Sequence, residues 1–196
     1  MNSWNDIFGP GSNFERRYIP DYAQLAEQVS ALRKLGKKIV LASGAWDLFH
    51  IGHATYLEKA KDLGDILIVG VDSDEKVRTR KGENRPIVPE SERMMILAHL
   101  RHVDLITLKN IDDKKWQLIK TIRPDILVIS KTTKSHTQEE IEAMKEYCGE
   151  VVIMEPQATT STSAKIRLLL LDITEKIEIK LQEVLEFVRQ LKGGLS

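Results

Sequence analysis

Five short apolar runs recur along the chain: "KIVLAS" (38–43), "DILIVGV" (65–71), "VDLITL" (103–108), "DILVIS" (125–130) and "EVVIME" (150–155). They are rich in Val, Ile and Leu and are apolar almost throughout, the pattern of strands buried on both faces. Between them the period lengthens to that of a helix. Leu25, Val29, Leu32 and Leu35 recur at helical spacing through "YAQLAEQVSALRKLG", with Gly36 placed to end the helix. "ATYLEKAKDLG" (54–64), "PESERMMILAHL" (89–100), "DDKKWQLIKTI" (112–122) and "QEEIEAMKEYC" (138–148) follow the same rule. A longer helical pattern runs from about Lys165 to Lys192, with a break expected near Asp172. Residues 1–20 carry Gly9, Pro10, Gly11, Ser12 and Pro20 with little periodicity, and read as a loosely docked arm.

Buried strands alternating with helices predict an α/β fold: a Rossmann-like, doubly wound parallel sheet of five strands with a C-terminal helical extension. The expected organisation is an arm over 1–20, one domain over 21–168 and the extension over 169–196. Such sheets bind ligands beyond the carboxyl ends of their strands, where strand order reverses. Loops that follow strands are therefore where chemistry is to be sought.

Composition narrows the field. Lys+Arg and Asp+Glu both number 29, so no net charge draws the chain to nucleic acid or to a membrane surface, and any anion site must be local. Cys148 is the single cysteine, which excludes a disulfide framework within the chain and fits a reducing compartment. The first residues lack a basic segment followed by an apolar core, and no apolar run reaches the ~18 residues of a spanning helix. A cytoplasmic, soluble protein is expected.

The most informative stretch is "FHIGHATYLEKAK" (49–61), which sets His50 and His53 around Gly52 where the first strand gives way to a helix. Three readings compete. Each histidine can be a partly buried, hydrogen-bonded side chain, although two of them flanking a glycine at such a turn is unusual for that. The pair can be metal ligands, but a zinc site needs a third ligand and none stands at a telling position; "HLRH" repeats the spacing at His99 and His102 without chemistry attached. Phosphate chemistry is the third reading. A helix starting near Gly52 aims N–H groups and its positive dipole end at an anion, and two imidazoles can donate to phosphate oxygens. Neither G-x-x-x-x-G-K-[ST] nor G-x-G-x-x-G occurs, so a phosphate grip would rest on the histidines and one helix end.

"SGAWDLFHIGHATYLEKAKDLGDILIVGVDSDEKV", with "RKGENRPIVPESERMMILAHLRHVD" and "TSTSAKIR", resembles the cytidylyltransferase-like nucleotidyltransferases, whose signature is H-x-G-H after the first strand. "KGENRPIVPESER" is most similar to the heptose 1-phosphate adenylyltransferases, with glycerol-3-phosphate cytidylyltransferase more distant. The resemblance implies that a phosphate monoester oxygen attacks the α-phosphorus of ATP or CTP and pyrophosphate leaves, with Mg²⁺ screening the triphosphate. By the same resemblance His50 and His53 hold the phosphates. Gly44, Ala45, Trp46 and Gly52 line the nucleotide, and Arg80 and Lys81 lie over the phosphates. Thr162 and Ser163 cap a phosphate-facing helix backed by Arg167, while Asp47 and Arg101 serve the acceptor. Each has a plainer role open to it: Asp47 as a turn residue, Arg80, Lys81 and Arg85 as a solvated loop, Arg101 as a surface side chain, Thr162 and Ser163 as an ordinary cap.

Three departures from the family pattern shape the expectation. Ala45 and Trp46 precede the aspartate where a small residue and Phe are usual; Ala164 replaces the last Thr of the C-terminal motif; and "VISKTTKS" (128–135) replaces a K-G-x-D-like stretch. With Lys131 and Lys134 in that loop and no carboxylate, the expected acceptor is a smaller or more anionic phosphate ester than heptose 1-phosphate, held by Lys131 assisting Arg101. The expected function is nucleotidyl transfer to a small phosphorylated sugar or polyol. A cytidylyltransferase for a phospho-alcohol and a non-catalytic nucleotide-binding module are the alternatives. No metal-ligating protein residue is expected. Ile173, Ile177, Leu181, Val184, Leu185, Val188 and Leu191 form an apolar stripe on the last helix, which either packs on its own domain or serves a homodimer.

Overall fold

The computed structural model describes residues 12–131, 136–157 and 162–193, the side chains of 162–165 and 187–193 excepted. Five parallel strands form one sheet in the order β3-β2-β1-β4-β5. They are β1 (Ile39–Gly44), β2 (Ile66–Asp72), β3 (Leu105–Lys109), β4 (Ile126–Ser130) and β5 (Glu150–Met154). The strand order reverses between β1 and β4, so the crevice expected from the sequence opens there, directly above the loop that leaves β1.

Two apolar layers account for the unbroken hydrophobicity of the strands. Ile39, Leu41, Ile66, Ile68 and Leu127 pack on one face against α2 (Tyr22–Lys34), α6 (Gln117–Ile122) and α7 (Gln138–Met144). Val40, Ala42, Leu67, Val69 and Val128 pack on the other against α3 (Ile51–Lys61) and α5 (Glu90–Ala98). Alternate residues of each strand serve opposite layers, so both parities must be apolar.

Local signals end the elements where the physics requires. Asp21 caps α2 by accepting from Ala23 and Gln24 N–H, and Gly36 leaves the helix at φ 73°, a conformation that favours glycine. Thr137 and Glu140 cap α7 reciprocally.

Two elements were not expected. Ser73 caps α4 (Asp74–Lys81), which is almost entirely polar: only Val77 is buried. A helix with one apolar contact carries no periodic signal. The arm is the second. Phe14–Arg17 form a helical turn, α1, and Tyr18 then pairs with Ile106 on the edge strand β3. Ile19 is buried, and Arg17 donates to the carbonyls of Ala98, Leu100 and Val103 at the end of α5. From Asn13 onward the arm is thus tied down, covering an edge that would otherwise be open to pairing.

Residues 1–159 and 160–196 form two compact units. The second is a single helix, α8 (Thr162–Gly193), which starts ahead of the expected boundary at 168 and continues unbroken through Asp172. No helix among the described residues is long and apolar enough to cross a membrane.

Gly70 on β2 is a point of close approach. A Cβ there would lie 2.7 Å from Leu118 Cδ2 and 2.9 Å from Lys109 Cδ. Gly70→Ala is expected to cost about 1–3 kcal/mol through overpacking, read as a lower urea midpoint.

Candidate active site

The loop after β1 is held in a conformation that few sequences adopt. Trp46 and Leu48 both have positive φ, 56° and 46°, each costing on the order of 1–3 kcal/mol unless the surroundings enforce it. The enforcement is visible. The Trp46 indole donates to the Gly70 carbonyl at 3.2 Å and is buried against Tyr56. Gly44 leaves room for that ring, since a Cβ would sit 3.3 Å from it.

His50 is the N-cap of α3, and its Nδ1 accepts the Gly52 N–H at 3.1 Å. Gly52 N–H is therefore not an open phosphate donor, as the sequence had led us to expect; the imidazole has taken it. An Nδ1 that accepts places the proton of the neutral ring on Nε2, on the opposite side from the cap. His53 lies one turn on, its ring stacked on His50 at 4.0 Å between centroids and edge-on to Trp46 at 5.6 Å. The two histidines thus form one rigid plate at a helix N-terminus, where the dipole favours an anion.

Asp47, only 3% exposed, does not face outward for a ligand. Its carboxylate accepts the backbone N–H groups of Ile87 and Val88 at 3.0–3.1 Å and pairs with Arg85 at 3.1 Å. It therefore latches the 82–88 segment over the histidine loop. Lys81 stands beside this latch: burial pulls its amine down from the usual lysine range, Arg80 and Arg85 add to that, and Asp47 and Asp72 oppose it. A cation crowded by cations is a place that an anion relieves.

Sequence reasoning missed the residue that joins these parts. Arg93, on α5, is 1% exposed. Its guanidinium donates to the carbonyls of Val88, Ala45 and Asp72 and to the Asp74 carboxylate. The available signal was an arginine on the same helical face as Met94, Leu97 and Ala98, all buried.

A second network missed from sequence centres on Asp72 at the end of β2, with Arg80 at 2.8 Å and Lys109 at 2.9 Å. Burial pushes this carboxyl up, but the two cations outweigh it and hold the group below its ordinary range.

One predicted residue is not brought to the crevice. Arg101 follows α5 at the amino edge of the sheet, next to the start of β3; its side chain is 82% exposed and pairs with Glu58 near the end of α3. Since α3 and α5 run from the carboxyl edge to the amino edge, this is the opposite end from His50. Lys131 does follow β4, but pairs with Glu155 at the exposed surface. Thr132, Thr133 and Lys134 lie outside the described residues, as do the side chains of Thr162 and Ser163. Arg167 is an exposed residue of the second unit.

The model of the cytidylyltransferase-like family matches residues 41–188, most of the chain and all of the histidine loop. The chain belongs to that family. It is 45% identical over 111 residues to the bifunctional protein HldE of Nitratiruptor sp., covering 57% of this chain and 24% of that protein. It is 38% identical over 155 residues to the bifunctional protein HldE of Geotalea uraniireducens, covering 76% and 31%. The chain thus spans about a quarter to a third of the length of these relatives. Among solved structures it is similar to the lipopolysaccharide core biosynthesis protein from Thermoplasma volcanium, with a TM-score of 0.56 and 28% identity over 62% of this chain and 98% of that one. A pantoate-beta-alanine ligase from Francisella tularensis shares the fold, with a TM-score of 0.55 at 15% identity over 74% of this chain and 68% of that one.

Two predictions follow from the networks. Arg93→Met should cost about 3–5 kcal/mol, the scale of breaking a buried charged network, and Arg93→Lys should not restore it because an ammonium cannot reach four acceptors in a fork; urea denaturation reads both. Asp72 binds fewer protons folded than unfolded, so its contribution is complete above the unfolded value near ~3.9 and is lost as pH falls through its lower folded value. The acid limb of stability against pH should therefore be steeper in the wild type than in Asp72→Asn.

Proposed function

We propose that the chain is a nucleotidyltransferase that moves a nucleoside monophosphate from ATP or CTP to a phosphate monoester on a small sugar or polyol. A monoester oxygen bonds to the α-phosphorus as the α–β bridging bond breaks, and the electron pair leaves with pyrophosphate. The observation that carries the reading is the stacked His50–His53 plate at the start of α3, in the loop that follows β1 at the reversal of strand order. His50 Nε2–H and the His53 ring donate to phosphate oxygens as charge builds on them, and Lys81, Arg80 and Arg85 neutralise the leaving group. The similarity of "RKGENRPIVPESER" to heptose 1-phosphate adenylyltransferases supports ATP as donor.

Mg²⁺ belongs to the triphosphate in this reading. The carboxylates of Asp47, Asp72 and Asp74 are each committed to cations or backbone N–H groups, and no group of three His, Cys, Asp or Glu among the described residues is set to hold a metal. The lone Cys148 suits a reducing cytoplasm.

The apolar stripe of α8 supports a homodimer. Ile173, Ile177, Leu181 and Val184 are spaced three and four apart and exposed along one face of the helix, which is the pattern of a helix–helix seam. Light scattering at micromolar concentration should give twice the chain mass; a monomer would overturn the assignment.

Pyrophosphate release from ATP and from CTP, with a panel of phosphorylated sugars and polyols, tests the activity. His53→Ala should lower turnover by ~10²-fold or more, the scale of losing one transition-state donor. His50→Ala should do the same and also cost about 1 kcal/mol of stability through the lost cap. His50→Asn, which can still cap, should recover the stability but not the turnover. Release of no pyrophosphate with any acceptor, by a wild type that binds nucleotide, would make the chain a nucleotide-binding module instead.

A further inference from the structure

The last helix contains a tandem repeat. The segments "KIRLLLLDITE" (165–175) and "KIEIKLQEVLE" (176–186) align without a gap over 11 residues. Lys, Ile, Leu and Glu recur at four identical positions, and Leu168/Ile179, Asp172/Glu183 and Ile173/Val184 are conservative pairs at three more. Eleven residues make three turns of an α-helix to within ~20°, so each repeat presents the same face. Its second, sixth and ninth positions are Ile166, Leu170 and Ile173, then Ile177, Leu181 and Val184. They fall in one apolar stripe.

Every residue from Arg167 to Glu186 is exposed, and Leu170, Ile173, Ile177, Leu181 and Val184 keep 51–62% of their surface. Most helical stability in proteins comes from packing such a face, so a stripe kept through two repeats is built for a partner. The flanking charges say which partner. Five acidic residues stand against three basic ones from Ile166 to Glu186, the reverse of a helix that lies on anionic lipid. Lys176 and Lys180 line one side of the stripe beside Ile173, Ile177 and Leu181. Glu178 follows Ile177 by about 100° around the axis, as Lys176 precedes it, and so borders the other side. Each lysine pairs within the helix, Lys176 with Asp172 at 2.7 Å and Lys180 with Glu183 at 2.8 Å. Both pairs are well exposed, and such pairs hold little, so the lysines are available to a neighbour.

We propose that α8 pairs with α8 of a second copy of the chain, parallel and in register, through this stripe. The pairing rests on the homodimer reading above and adds which surfaces meet and in which sense. In a parallel pair the twofold axis runs along the helices, so each flank faces the opposite flank of the second copy at the same level. Lys176 and Lys180 then face Glu178 of the second copy, and by symmetry the contact occurs twice. An antiparallel pair sets each flank against its own kind. Overlap of the whole stripe would bring Glu178 against Glu178 and Lys176 against Lys180, like charge on like at both sides. The charges therefore favour the parallel sense. The repeat's period of about 3.67 residues per turn gives the pair a gentle right-handed twist, opposite to that of a heptad seam.

Cysteine cross-linking of the whole chain tests the sense, in a Cys148→Ser background that leaves no other thiol. In the parallel pair position 170 meets itself, and so does position 184. Leu170→Cys and Val184→Cys should each form a disulfide-linked dimer alone on mild oxidation, read on a non-reducing gel. In an antiparallel pair the two copies of position 170 lie about 14 residues apart, ~21 Å along the axis, too far for a disulfide. Only a mixture of the two variants would then cross-link. Charge variants give an independent reading. Glu178→Lys should raise the dimer's dissociation constant at least ~10-fold, as should Lys176→Glu/Lys180→Glu, while an equimolar mixture of the two should pair as the wild type does. Cross-linking only in the mixture of cysteine variants, or a Glu178→Lys chain that dimerises as tightly as the wild type, would overturn the parallel pair and leave the dimer standing. So would a dimer by light scattering in which no stripe cysteine cross-links. A monomeric wild type removes the homodimer reading and this pairing together, and pyrophosphate release is independent of all these outcomes.

Discussion

A single buried guanidinium holds the candidate site together. Arg93 reaches from α5 into the space between the first and second strand ends and donates to Val88, Ala45, Asp72 and Asp74. Three of those acceptors are main-chain carbonyls at the points where the histidine loop, the end of β2 and the 82–88 segment leave regular structure. Carbonyls buried there without a donor would each be costly, and a planar fork with five N–H groups can satisfy several at once. The strained loop at Trp46 and Leu48 persists because this anchor, the indole bond to Gly70 and the Asp47 latch all constrain it together.

The chain is electrically neutral as a whole, yet its site is not. Carboxylates near the crevice are spent on structure: Asp47 holds the 82–88 segment, Asp74 holds Arg93, and Asp72 holds Lys109 and Arg80. Asp47 and Asp72 are buried behind the cations they position, so their charge is directed inward while Arg85, Arg80 and Lys109 keep more of the exposure; Asp74 is the reverse, the more exposed partner of a buried Arg93. That is how equal numbers of acids and bases produce a local positive field. The same logic places the two imidazoles: His50 gives one nitrogen to its own helix, which orients the ring, and His53 is fixed by stacking on it.

Much of this was legible in the chain itself. The five apolar runs appear as the five strands, within a residue or two; the inner strands are apolar because both of their faces are buried, whereas β5, at the sheet edge, leaves Ile153 exposed. H-x-G-H at the end of the first run located the crevice, because strand-following loops at the reversal of order are where such sheets bind ligands. Gly36 and the residues that follow the strands were readable for the same reason: caps and turns are short-range requirements written in adjacent residues.

What lay outside the reach of the sequence was of long range. The pairing of Asp72 with Lys109 depends on β2 and β3 being neighbours in one register, which no local pattern states. Arg93 reads as one more charge on an amphipathic helix until the packing of α5 turns it inward. Arg101 carries the right chemistry for an acceptor, but α5 delivers it to the amino edge of the sheet. Residue type and spacing determined the strands, the switch point and the histidine plate, because those follow from periodicity and neighbouring residues. Which charged side chains converge on the site was decided only by the tertiary structure, because a charge carries no periodicity and its partner is set by where the sheet and helices bring it.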